Sequence, residues 1–182
     1  MIHWDWHEFV DQTKETDHDD EYEKYWSSPS EYVVRQVLAG RGDAGLLYDV
    51  GFEKIVDPSH VTAFLGETQY KGHPLVIPEN GAWTVAFDLA DGTNGNKHVE
   101  LKNARQAREL MNGVACAVYD HYNVTKAGLY IWYAAREELI DFYDRVMGHS
   151  RETDYKLKFV PLSDNLKGGL SGRGYAIITK YY

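Results

Sequence analysis

The chain predicts an α+β fold: a mixed, mainly antiparallel sheet in the order β-β-α-β-α-β-β with two packed helices, preceded by a helical N-terminal region. Three observations lead there. Residues 82–89 alternate, with Trp83, Val85, Phe87 and Leu89 on one face and Thr84, Ala86 and Asp88 on the other. Two later segments repeat apolar residues at three- and four-residue steps, as amphipathic helices do. Between them LYIWY (129–133) is apolar throughout, as expected of a central strand covered on both faces.

Taken in order, Ser30 caps a helix expected from Glu31, with Val33, Val34, Val37 and Leu38 as its apolar stripe. Gly40, Gly42 and Gly45 interrupt the pattern before 46–55 resumes it. Asp57-Pro58-Ser59 is a turn leading into a short helix through Phe64 and Leu65. Residues 66–81, with Gly66, Gly72, Pro74, Pro78 and Gly81, read as a connector. The chain therefore divides into an arm (1–29), a helical region and connector (30–80) and an α+β domain (81–182). In that domain, 82–89 and 98–102 form a hairpin around the turn residues ADGTNGNK. Asn103 caps a helix with Gln106 at the capping-box position, and Ala107, Leu110, Met111, Val114, Val118 and Tyr122 run along it. A second helix follows from Arg136, with Leu139, Ile140, Tyr143, Val146 and Met147 on one side and Gly148 as its stop. Residues 155–160 and 175–180 are the closing strands, joined by the loop SDNLKGGLSGRG.

The 182 residues are 43% hydrophobic and 26% charged, enough apolar material for a core. No apolar run reaches the roughly 20 residues that cross a bilayer, so no membrane is expected among the partners. MIHWDWHEFVD lacks a basic region followed by an apolar stretch, so no secretory signal is expected. Cys116 is the single cysteine, which excludes a disulfide framework and fits a reducing compartment. The net charge of -9 is uneven. Residues 1–30 hold nine acids against Lys14 and Lys24, a net of -7; the rest is nearly neutral at -2. An acidic arm repels phosphate backbones, so nucleic acid is an unlikely partner. Trp4, Trp6, Tyr25 and Trp26 are interleaved with those acids, and large amphipathic rings beside charge are what interfaces favour.

Four constellations bear on chemistry. Asp88, Glu100 and Lys102 all point away from the Trp83 face of the hairpin. Two carboxylates and a lysine so placed are a nuclease arrangement that would hold Mg²⁺. A solvated strand face selects the same residue types, and no Mg²⁺ or other cofactor is expected otherwise. His3, His7 and Asp11 at four-residue steps match a Zn²⁺ ligand spacing, but a polar helical face at a chain end explains it equally well, so no metal is assigned. The loop 168–174 offers backbone N–H groups to an anion, yet a strand follows it where phosphate-loop logic needs a helix. Cys116 and His121 stand about 140° apart on a helix of 3.6 residues per turn, which opposes a nucleophile–base pair; Cys116 reads as core filler.

From Trp83 onward the chain resembles a group of short tailed-bacteriophage proteins. The resembling pieces are WTVAFDL…HVELKN, ARQARELMNGVACAVYDHY, GLYIWYAA, REELIDFYDRVM, YKLKFVPL and GYAIITKYY. The resemblance implies viral origin, in the virion or the host cytoplasm, and assigns no functional residue. The expected function is thus a non-enzymatic protein acting through contacts with another protein, phage or host, or with a further copy of itself. Trp4, Trp6, Tyr25 and Trp26 are its expected partner-binding anchors. The alternatives are the nuclease of Asp88, Glu100 and Lys102, and an acetyltransferase-like fold binding an acyl donor near the glycine loop.

Overall fold

The computed structural model describes residues 32–39, 45–90, 104–134, 137–147, 164–169 and 172–182. Its elements run β1 (Tyr32–Ala39), β2 (Leu46–Ile55), α1 (Pro58–Leu65), β3 (Gln69–Tyr70), β4 (His73–Pro74), β5 (Ala82–Leu89), α2 (Ala104–Thr125), β6 (Leu129–Tyr133), α3 (Glu138–Met147), β7 (Asp164–Gly168) and β8 (Gly174–Ile178). Six strands form one sheet in the order β1-β2-β5-β6-β8-β7, and β3 pairs with β4 in a small hairpin. Every neighbour in the large sheet is antiparallel except β5 and β6, which α2 connects in parallel. The fold is α+β.

Strand alternation sorts the core into two layers. Val37, Val50, Phe52, Trp83, Val85, Tyr130, Trp132, Tyr175 and Ile177 face α2 and α3. Ile55, Ala82, Leu129, Ile131, Ala176 and Ile178 face Val61 and Leu65 of α1 on the other side. β6 is buried along Leu129–Trp132, as its unbroken apolar run requires. Asp57 caps α1 by accepting the Ser59 N–H at 2.8 Å, and Pro58 opens the helix where a missing N–H costs nothing. α2 approaches β1 through Gly113, where any Cβ would collide with Val37.

The helix expected from Glu31 is instead strand β1. Val33, Arg35, Val37 and Ala39 alternate toward α2, and three β-branched valines in this stretch favour a pleated surface over a helix. Residues 46–55 likewise form β2 rather than part of a helical region. The connector 66–81 is not a boundary: it carries β3 and β4 and returns the chain so that β5 lies beside β2 over Ala82–Leu89. β1 and β2 therefore share one sheet with β5, β6, β7 and β8. Part of the expected loop 163–174 is strand β7, which zips to β8 from Asp164↔Ile178 to Gly168↔Gly174. The expected strands 98–102 and 155–160 lie outside the described residues, and the described partners of β5 are β2 and β6.

Candidate functional site, a cleft where two parallel strands part

β5 and β6 pair only over Ala82↔Leu129, Trp83↔Tyr130 and Thr84↔Ile131. β5 continues beside β2 to Leu89, and β6 continues beside β8 to Tyr133. Beyond Thr84 no ladder joins the two strands among the described residues, and their carboxyl ends flank the place where the pairing stops. Parallel strands place ligand crevices at such ends, because the helix connections leave them uncovered.

Backbone polarity at this opening follows from one contact. The Ala90 N–H donates to the Leu47 carbonyl at 2.9 Å, so the even-numbered residues of β5 turn their amides toward β2. Val85, Phe87 and Leu89 then turn theirs toward the β6 side. The Leu89 N–H is taken by its neighbour's Asp88 Oδ1 at 2.8 Å. Phe87, three residues past the last pair, has no ladder partner on this side among the described residues.

The space on the helix side of this junction is small, about 10 Å³, and its walls are apolar. Val85 and Phe87 come from β5, Met111, Val114 and Val118 from α2, Trp132 from β6 and Tyr143 from α3. Tyr143 brings the single hydroxyl among these side chains. Burial raises its pKa above the usual phenol value, so it is a proton donor at neutral pH. Its ring meets Tyr175 edge-on at 5.4 Å, and Tyr175 stacks on Trp132 at 6.0 Å. Asp144, next to Tyr143, fixes this corner: it accepts from Lys167 Nζ at 2.6 Å and from the Tyr175 hydroxyl at 2.8 Å. Burial, then the Asp144 carboxylate, pushes the Tyr175 phenol upward as well.

The residues singled out in sequence fall elsewhere. Asp88 is exposed on the opposite face of β5, as its alternation required, but its cross-strand neighbour is Asp49. Its companions Glu100 and Lys102 lie outside the described residues, as do Trp4, Trp6, Tyr25, Trp26, His3, His7 and Asp11. Among the described residues no three His, Cys, Asp or Glu side chains gather as a metal site. No described helix is long and apolar enough to cross a membrane. Cys116 corrects an expectation, because it is exposed while Ala115 and Ala117 are buried. It belongs to the outer stripe of α2 with Tyr119, and His121 is buried, so the two form no dyad.

The glycines of 168–174 have a packing role. A Cβ on Gly168 would strike Thr68, and one on Gly169 or Gly174 would strike the Phe64 carbonyl. The end of α1 thus lies directly on the β7–β8 turn, with the Gly169 N–H donating to Leu65 O at 2.8 Å.

Sequence reasoning missed the cleft for a definable reason. Alternation names Val85 and Phe87 as inward, but it does not say that β6 leaves them after Thr84. The usable signal was the order strand–helix–apolar strand, which implies a parallel pair inside a mainly antiparallel sheet. No protein-family model, curated protein or solved structure matches this chain.

Proposed function

We propose that the protein binds an acyl-CoA-type donor in the β5/β6 opening, in the manner of an acetyltransferase-like fold. The observation that supports this best is the backbone edge at Phe87, unpaired among the described residues, beside a small apolar cleft. A pantetheine arm is a thin chain with two amides separated by methylenes. Laid along β5 it would hydrogen-bond like an added strand, with the Phe87 N–H and C=O as its partners. Val114, Met111 and Val118, buried in the structure, would contact the methylenes once the ligand widens the cleft. The Tyr143 hydroxyl would donate to the sulfur or to the thioester oxygen, and a protonated phenol is the form that can do so.

Calorimetry of the full chain with acetyl-CoA tests the proposal. Saturable binding is expected, lost in Val114→Trp, which fills the cleft. Phe87→Pro removes the N–H that faces away from β2 while keeping the β2 ladder. It should weaken binding at least tenfold, whereas Phe87→Ala, which keeps the N–H, should weaken it less. A folded chain that fails to bind acetyl-CoA at millimolar concentration, or for which the Pro and Ala variants bind alike, would overturn the reading.

A further inference from the structure

The sheet has a second surface that the cleft does not use. α1 and the 69–78 segment cover only the β6–β8–β7 half of their side of the sheet, together with the ends of β2 and β5. No described element covers the other half, formed by β1, β2 and β5, where Gly51 is buried, Val34, Gln36 and Asp49 are half-buried and Leu38, Leu47, Ala86 and Asp88 are exposed. Leu38 lies opposite Leu47, Gln36 opposite Asp49, Val34 opposite Gly51; on the next strand Asp49 lies opposite Asp88, and Gly51 opposite Ala86. Leu38 and Leu47 are 39% and 41% exposed, large for a directly paired apolar couple.

The charge on this face is of one sign. Asp49, Glu53 and Asp88 alternate onto it, and no lysine or arginine of these three strands does. Like charges directly opposite across two strands destabilise a sheet. Gln36 donates to Asp49 Oδ1 at 3.0 Å, and Asp88 accepts its neighbour's N–H; among the described residues neither carboxylate has a cation. A cationic occupant relieves that repulsion. The same argument disfavours a second copy of the chain, which carries -9.

We infer that this face docks a basic amphipathic helix of another protein, its apolar side on Leu38, Leu47 and Ala86 and its lysines or arginines on Asp49 and Asp88. The dimensions agree. Three strands span about 10 Å across, the diameter of one helix, and a helix of about 14 residues covers roughly 20 Å along them. Gly51 and Ala86 keep the middle of the face low. The inference is independent of what fills the cleft.

The test uses the full chain and a fluorescent 16-residue peptide with leucines at helical spacing and lysines between, followed by anisotropy. Micromolar binding is expected, falling at least tenfold in Asp49→Asn/Asp88→Asn and again in Leu38→Ser/Leu47→Ser. Glu67→Gln/Glu79→Gln removes equal charge from exposed connector positions and should stay within twofold. A peptide with glutamates in place of the lysines should not bind. Equal loss in both charge variants would mean nonspecific attraction and overturn the site. So would binding that disappears only when residues 1–29 are deleted, or restoration of the Asp pair's effect by Mg²⁺ alone.

Discussion

At the scale of single residues, His121 shows what the core costs and how it can be probed. Its ring is buried under α2, stacked on Phe52 at 4.4 Å and edge-on to Trp83 at 4.5 Å. The Tyr130 hydroxyl lies 2.8 Å from Nδ1, so a neutral ring that accepts there keeps its proton on Nε2. Desolvation, then the nearby Arg35 guanidinium, lowers its pKa from 6.5 to about 4. Between those values the unfolded chain binds a proton that the folded chain refuses, so stability rises with pH across the window. At about 1.4 kcal/mol per tenfold change in proton affinity, the full window is worth roughly 3 kcal/mol. Urea midpoints should therefore fall as pH drops from 6.5 to 4, and the slope should be shallower in His121→Gln. Equal slopes in the two proteins would show that carboxylates alone set the acid limb. Gly113 gives a second residue-scale expectation. In an ordinary helix interior Gly→Ala stabilises by about 1 kcal/mol. Here the new methyl meets Val37, so Gly113→Ala should lower the melting temperature, and Gly113→Ala/Val37→Ala should recover part of the loss.

At the scale of elements, α2, β6, α3 and β8 were legible because each has one strong period and a clear stop. The 22 residues of α2 carry one broad buried stripe, and five consecutive apolar residues leave β6 little choice but a covered strand. β1 was not legible. Val33, Val34, Val37 and Leu38 fit a helical stripe, while the true inward set includes Arg35, buried at 4% exposure. A buried arginine breaks the alternation that would have announced a strand. β7 was hidden by composition: DNLKG looks like a turn, and its one glycine, Gly168, lets the end of α1 and Thr68 pack close. Gly174→Ala should therefore separate α1 from the β7–β8 turn and expose Leu65 and Phe64. Faster proteolysis within 58–70, with α2 unchanged in protection, is the expected readout.

At the scale of the whole molecule, the sheet assigns different work to its parts. Its antiparallel wings are closed by ladders, and its one parallel junction is left ajar. That opening is a property of topology, which no local pattern reports: Phe87 reads as an ordinary inward residue until β6 is seen to turn away. The acidic face is likewise invisible locally, since Asp49 and Asp88 are 39 positions apart and meet only through the β2–β5 register. What the sequence did disclose, the excess of acid and the neutral body, selects the sign of a partner without locating it.

The claim that the β5/β6 opening holds an acyl donor is tested most directly at the Phe87 amide. In an NMR titration of the isotopically labelled full chain with acetyl-CoA, that amide should shift downfield and exchange more slowly with solvent as it becomes hydrogen-bonded. Methyl signals of Val114 and Met111 should move with the same saturation curve. A titration in which the Phe87 amide stays fixed while shifts appear elsewhere, or nowhere, would contradict the account.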